Sequence, residues 1–216
     1  MPSLEEIAEI VHRDFEARTA ARDEALAAAR QLTRACANAI RAVHRGENDL
    51  AEAKLAEAKR MADSLRASLL ADFPELYFAG YTQDALKEFA EASAVYALVR
   101  GDELPLPADL GIPVSAYIRG LAEAVGELRR RVLDLLRHGH SPEVERLLAK
   151  MDDIYAMLVT MDYPDAVTIG LRRLTDIARS LLERTRGDVT LSLRHERLEK
   201  ALREVEAGVR LNGAPK

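Results

Sequence analysis

Beyond Ser3 the apolar residues Leu4, Ile7, Ile10, Val11 and Phe15, then Leu26, Leu32, Cys36, Ile40 and Val43, follow one another at helical spacing until Gly46. Residues three or four apart share a helix face, so this stripe predicts one very long first helix. Ser3 with Glu6 has the form of a capping box, and a glycine at position 46 supplies the left-handed residue on which helices commonly end.

The remaining chain is punctuated in the same way. A second helix is expected from about Asn48, as its cap, through Leu50, Leu55, Met61, Leu65 and Leu69 to Phe73-Pro74, followed by a loop around Tyr77 to Gly80. A third covers about Thr82 to Arg100 and is closed by Gly101. Residues 102–113 hold Pro105, Pro107 and Pro113 and should be extended or turning. A fourth helix runs from about Val114 to His138, a fifth opens at Ser141-Pro142 and ends near Met161, and a sixth spans about Asp165 to Arg186. Gly187 then separates the sixth from a seventh that ends near Leu211. No segment alternates like a strand, so the expected architecture is all-α, a seven-helix bundle in one domain over residues 1–216.

Composition narrows the function classes. Aromatic residues are only 5% of the chain and tryptophan is absent, which leaves helices to pack through small and branched side chains. The net charge of -5 argues against a surface coated for nucleic acid. However, most of the 31 basic residues are arginine, whose planar fork suits both carboxylates and phosphates. Cys36 is the only cysteine, which excludes a disulfide framework and a cysteine zinc site within the chain. Acids rather than bases in the first nine residues, and the lack of a long apolar run, lead us to expect a cytoplasmic protein without a membrane partner.

Two acid pairs carry the candidate chemistry. At about 100° per residue, Asp84, Glu88 and Glu91 fall on one arc that Val95, Leu98 and Val99 continue, so these acids should point toward packed structure. Buried carboxylates need arginines, shared protons or a metal. On the fourth helix, Glu123, Glu127 and Asp134 lie opposite the apolar arc of Tyr117, Leu121, Val125, Leu128, Val132 and Leu135. Pattern alone puts them in solvent, with Arg119, Arg130 and Arg131 near enough to relieve their repulsion. If the two pairs met across a helix contact, four carboxylates would suit a hard divalent cation, Mg²⁺ or Mn²⁺. A di-iron bundle needs two Glu-x-x-His units, whereas only Glu9 to His12 has that form. His138 and His140 fit cationic residues at a helix end better than ligands. No Gly-rich phosphate loop and no Gly-x-Ser-x-Gly elbow is present.

The stretches Tyr81-Thr-Gln-Asp-Ala-Leu-Lys-Glu-Phe-Ala-Glu-Ala92, Ile112 to Arg129 with its Gly-Glu-Leu-Arg element, and Ala178 to Gly187 together resemble the translin family, which includes translin-associated factor X. The likeness extends to His12-Arg-Asp-Phe15 and covers nearly the whole chain. It implies subunits that assemble into a closed hollow homo-oligomer, an octamer, and that handle single-stranded RNA or single-stranded DNA. Translin-type chains mainly bind, whereas the factor X type is a magnesium-dependent endoribonuclease. By position, Glu88 and Glu91 match the acidic pair of the earlier helix and Glu127 the glutamate of Gly-Glu-Leu-Arg. Glu123 stands where the nuclease subtype usually has Asp. The resemblance therefore implies Glu88, Glu91, Glu123 and Glu127 as metal ligands and catalytic groups. Arg119 and Arg130 could hold the substrate phosphate or pair with Glu123 and Glu127. Two further readings are a non-catalytic single-stranded RNA/DNA-binding protein and a purely structural helical oligomer.

Overall fold

The Ser3 hydroxyl accepts a hydrogen bond from the Glu6 amide at 3.1 Å while the Glu6 carboxylate accepts from the Ser3 amide at 2.7 Å. This reciprocal cap opens α1, which spans Leu4–Arg45 in the computed structural model and ends on Gly46 at φ 72°. The structure describes residues 2–212; Met1 and residues 213–216, Lys216 among them, lie outside the described residues. The described residues form nine helices and no strand: α1, α2 (Asn48–Leu69), α3 (Pro74–Tyr77), α4 (Gly80–Arg100), α5 (Pro107–Leu110), α6 (Val114–Leu136), α7 (Pro142–Val159), α8 (Asp165–Thr168) and α9 (Leu171–Asn212). None of these helices is long and apolar enough to cross a membrane.

The chain divides into two compact units, one of residues 1–124 and 166–169, the other of residues 125–165 and 170–216. In the first, α1, α2 and α4 pack through alanines that let helix axes approach closely: Ala25, Ala29, Ala35 and Ala39 on α1, Ala58 and Ala62 on α2, Ala85 and Ala90 on α4. Between them sit Leu32, Cys36, Leu65, Leu86 and Phe89, all at 2% exposure or less. Each such leucine or phenylalanine contributes about 1.5–3 kcal/mol through the apolar surface it removes from water. Tyr117 of α6 donates its hydroxyl hydrogen to the Pro105 carbonyl at 2.8 Å and so ties the proline-rich connection to this unit. In the second unit, Val125, Leu128 and Val132 of α6, Val144, Leu147 and Met151 of α7, and Ala178 and Leu182 of α9 are buried.

Several boundaries differ from the sequence expectation. Asn48 is the first residue of α2 rather than its cap; Glu47 holds that place and makes no side-chain capping bond. The segment around Tyr77 contains the one-turn helix α3, and the proline-rich stretch contains the one-turn helix α5, because Pro74 and Pro107 each sit at a first helical position where no amide donor is needed. Gly187 does not separate two helices. A glycine inside a helix costs about 1 kcal/mol, and packing on either side outweighs it. Thr185 is fully buried and accepts a hydrogen bond from Arg129 at 2.9 Å, while Val189 is 3% exposed. The expected sixth helix breaks instead after Thr168, where Ile169 at φ 51° and Gly170 at φ 82° both take left-handed backbone.

A branched residue such as Ile169 is strained there, since its Cβ crowds the carbonyl oxygen. Replacing the half-exposed Ile169 with asparagine, which tolerates this conformation, should raise stability by about 0.5–1 kcal/mol in a urea titration. An unchanged or lower midpoint would show that the apolar contacts of Ile169 outweigh the backbone strain.

Candidate metal centre of three carboxylates

The cluster is built where α4 and the start of α6 touch, and a glycine sets how closely. Gly120 is buried against α4, and a Cβ placed on it would lie 2.5 Å from the Lys87 carbonyl oxygen, 2.7 Å from the Ala90 Cβ and 2.8 Å from the Glu91 amide nitrogen. No residue other than glycine fits that contact without moving backbone. The close approach brings Glu123, three residues past Gly120, next to the α4 acids. Glu88, Glu91 and Glu123 each present one carboxylate oxygen, and these oxygens all lie within 4.8 Å of one another. Glu91 is buried, while the side chains of Glu88 and Glu123 are both 29% exposed.

Lys87 sits among these acids. Its side chain is 11% exposed, and its Nζ donates to Glu123 Oε2 at 2.5 Å and lies 3.1 Å from Glu88 Oε1. Burial pushes the Lys87 ammonium down, but hydrogen bonds to Glu123 and Glu88 outweigh it and hold the group above the usual lysine range. It is therefore a full positive charge at neutral pH. Cys36 of α1 is buried below the same helix, and its thiol is pushed well above the usual range by burial and by the charges of Glu88 and Glu91. A thiol held protonated in this way is no nucleophile.

The structure thus brings together three of the four sequence-predicted acids. Glu127 follows Glu123 by one turn on α6, in the part of that helix belonging to the second unit, and lies 3.6 Å from Arg130. Expected solvation of the α6 acids is corrected, since Glu123 and Glu127 are both partly buried. Of the arginines expected to relieve them, Arg130 lies against Glu127, while Arg119 pairs with the exposed Asp84 at 2.7 Å and Arg131 with Glu143 at 3.2 Å. Asp84 therefore leaves the inward stripe proposed for it. Lys87 was missed as a partner because its sequence position, one residue before Glu88, does not reveal that the α4–α6 contact carries it to Glu123, 36 residues away.

The donor set fits a hard divalent cation. Carboxylate oxygens sharing one ion lie at most about twice the metal–oxygen distance apart, about 4.2 Å for Mg²⁺ and about 5 Å for larger ions, and the three glutamate oxygens, within 4.8 Å of one another, need only a small inward rotation to reach the shorter limit. Only oxygen donors are present, which disfavours softer metals.

No family model matches the chain. The uncharacterized protein MJ0175 of Methanocaldococcus jannaschii is 37% identical over 190 residues, covering 87% of this chain and 83% of the relative. Among solved structures, AfC3PO in a duplex RNA complex is similar with a TM-score of 0.80 and 32% identity, covering 87% of this chain and 97% of the other. Apo-NeC3PO, at 18% identity and a TM-score of 0.77 over 89% of this chain and 98% of its own, shares the fold. The all-helical fold and its likeness to AfC3PO define a translin-type protein. The chain belongs to the translin family, with AfC3PO among its solved relatives.

Proposed function

We propose that this chain is a divalent-metal-dependent endoribonuclease of the factor X type, acting on RNA within a hollow homo-oligomer. The observation that carries this reading is the convergence of Glu88, Glu91 and Glu123 oxygens within 4.8 Å. Mg²⁺ or Mn²⁺ bound there would supply Lewis acidity toward a phosphate oxygen and activate water for attack. Glu91, which is buried, would hold the ion from α4, with Glu88 of α4 and Glu123 of α6 as the other ligands. Glu123 stands where the nuclease subtype usually has Asp, and its longer arm still reaches the α4 acids. Glu127 enters this reading through the family resemblance alone, as the glutamate of Gly-Glu-Leu-Arg.

Arg130, 55% exposed and only loosely paired, is the better placed of the two arginines to hold a substrate phosphate. Arg119 is 13% exposed and already engaged by Asp84, so it serves first as a tie between α6 and α4. Assembly is supported by apolar residues left in solvent along α1, namely Leu4, Ile7, Ile10, Val11 and Phe15. Surfaces of this kind call for further copies of the chain, and the family resemblance suggests eight. AfC3PO is seen with duplex RNA, whereas the sequence resemblance points to single strands. Both substrates belong in the assay.

One observation favours the non-catalytic, strand-binding alternative: Lys87 already neutralises two of the three carboxylates. The test is incubation of purified protein with labelled single-stranded and duplex RNA, in Mg²⁺ or in chelator. Cleavage that requires Mg²⁺ supports the nuclease. Retention of RNA without cleavage under either condition supports the alternative, and salt-insensitive failure to retain RNA contradicts both.

A further inference from the structure

The carboxylate cluster already holds a cation, supplied by the chain itself. Lys87 Nζ takes Glu123 Oε2 and Glu88 Oε1, which are oxygens from two of the three acids a divalent ion would use. Its side chain is nearly buried, so the contact is not one of the loose surface pairs that solvent readily exchanges. A doubly charged ion cannot enter between the same oxygens while an ammonium remains hydrogen-bonded to them, because the two positive charges would stand within a few ångströms at reduced dielectric. The stem of lysine is long and flexible, however, and can carry its charge outward from a fixed backbone.

We propose that Lys87 is a tethered competitor for the metal: it neutralises Glu88 and Glu123 in the metal-free protein and must swing out for the ion to bind. This rests on the metal-centre reading above and adds its regulation. Apparent metal affinity then equals the intrinsic affinity reduced by the fraction of molecules with Lys87 out. A protein so built tolerates metal scarcity without leaving Glu88 and Glu123 uncompensated at a helix contact. It engages the metal only when the free concentration is high enough to displace the lysine.

Lys87→Met removes the charge while keeping the length and apolar stem. Titrating wild type and Lys87→Met with Mn²⁺, followed by the loss of free Mn²⁺ signal in electron paramagnetic resonance, should give at least a tenfold lower dissociation constant for the variant. In chelator the variant should melt below wild type, and Mn²⁺ should recover more of its melting temperature than it adds to wild type. A second measurement avoids any folding defect. In wild type, acetylation of Lys87 by acetic anhydride, read by peptide mass spectrometry, should accelerate when Mg²⁺ is added. Metal binding by wild type with equal or weaker binding by Lys87→Met, and no change in Lys87 acetylation, would overturn the competitor role and leave the metal centre standing. Failure of both proteins to bind Mn²⁺ at millimolar concentrations would overturn the metal centre and this inference with it.

Discussion

Gly120→Ala should destabilise the protein by about 2 kcal/mol and disperse the carboxylate cluster, although alanine is the better helix former. The gain in helix propensity is about 1 kcal/mol. Against it stands a Cβ at 2.5 Å from the Lys87 carbonyl oxygen and 2.8 Å from the Glu91 amide nitrogen, atoms of a helix backbone that cannot rotate away as a side chain could. Overpacking in a close contact costs about 1–3 kcal/mol or more, so the clash wins. Relief requires α6 to move off α4, and that movement carries Glu123 away from Glu88 and Glu91 together. Urea denaturation reads the stability loss, and Mn²⁺ titration of the folded variant reads the loss of the site. A variant as stable as wild type, or one that binds Mn²⁺ equally well, would mean the two helices are not held by this contact.

Glu91→Gln should leave the fold intact and lower metal-dependent RNA cleavage by at least about 100-fold. Loss of an outer partner of a metal ligand typically costs about 10–100-fold, and loss of a ligand that is itself buried and shared between helices should cost no less than the upper end. Glutamine preserves shape and replaces one acceptor oxygen with an amide donor, so the change removes charge rather than packing. Neutralising Glu91 removes its repulsion with Glu88 and Glu123 while the two Lys87 pairs stay in place, so the metal-free variant should melt no lower than wild type. Cleavage at the wild-type rate by Glu91→Gln would place the catalytic groups elsewhere, and a lowered melting point would show that Glu91 chiefly holds the fold.

Helix periodicity made much of this structure legible. The capping box at Ser3, the left-handed stops at Gly46 and Gly101, and the apolar arc of Leu121, Val125, Leu128 and Val132 are local signals, and each stands where the spacing puts it. Gly187 misled because a glycine's local cost says nothing of Thr185 and Val189, whose burial depends on other helices. The apolar run at Leu4, Ile7, Ile10, Val11 and Phe15 has the period of a core face yet lies in solvent, since pattern reports amphipathicity without naming the surface that covers it. At the cluster, periodicity alone pointed Glu88 and Glu91 inward. Glu123 was placed on the solvent side by the same reasoning, and only the family resemblance joined it to them. Gly120 and Lys87 went unread for one reason: both act through the contact of α4 with α6, a tertiary fact that no window of sequence contains.

The most direct test of the central claim is a crystal of the protein grown with Mn²⁺ and measured at the manganese absorption edge. The account predicts an anomalous peak between Glu88, Glu91 and Glu123, with the Lys87 side chain turned away from Glu88 and Glu123. Saturating Mn²⁺ with no peak there, and Lys87 still bridging the two acids, would contradict it.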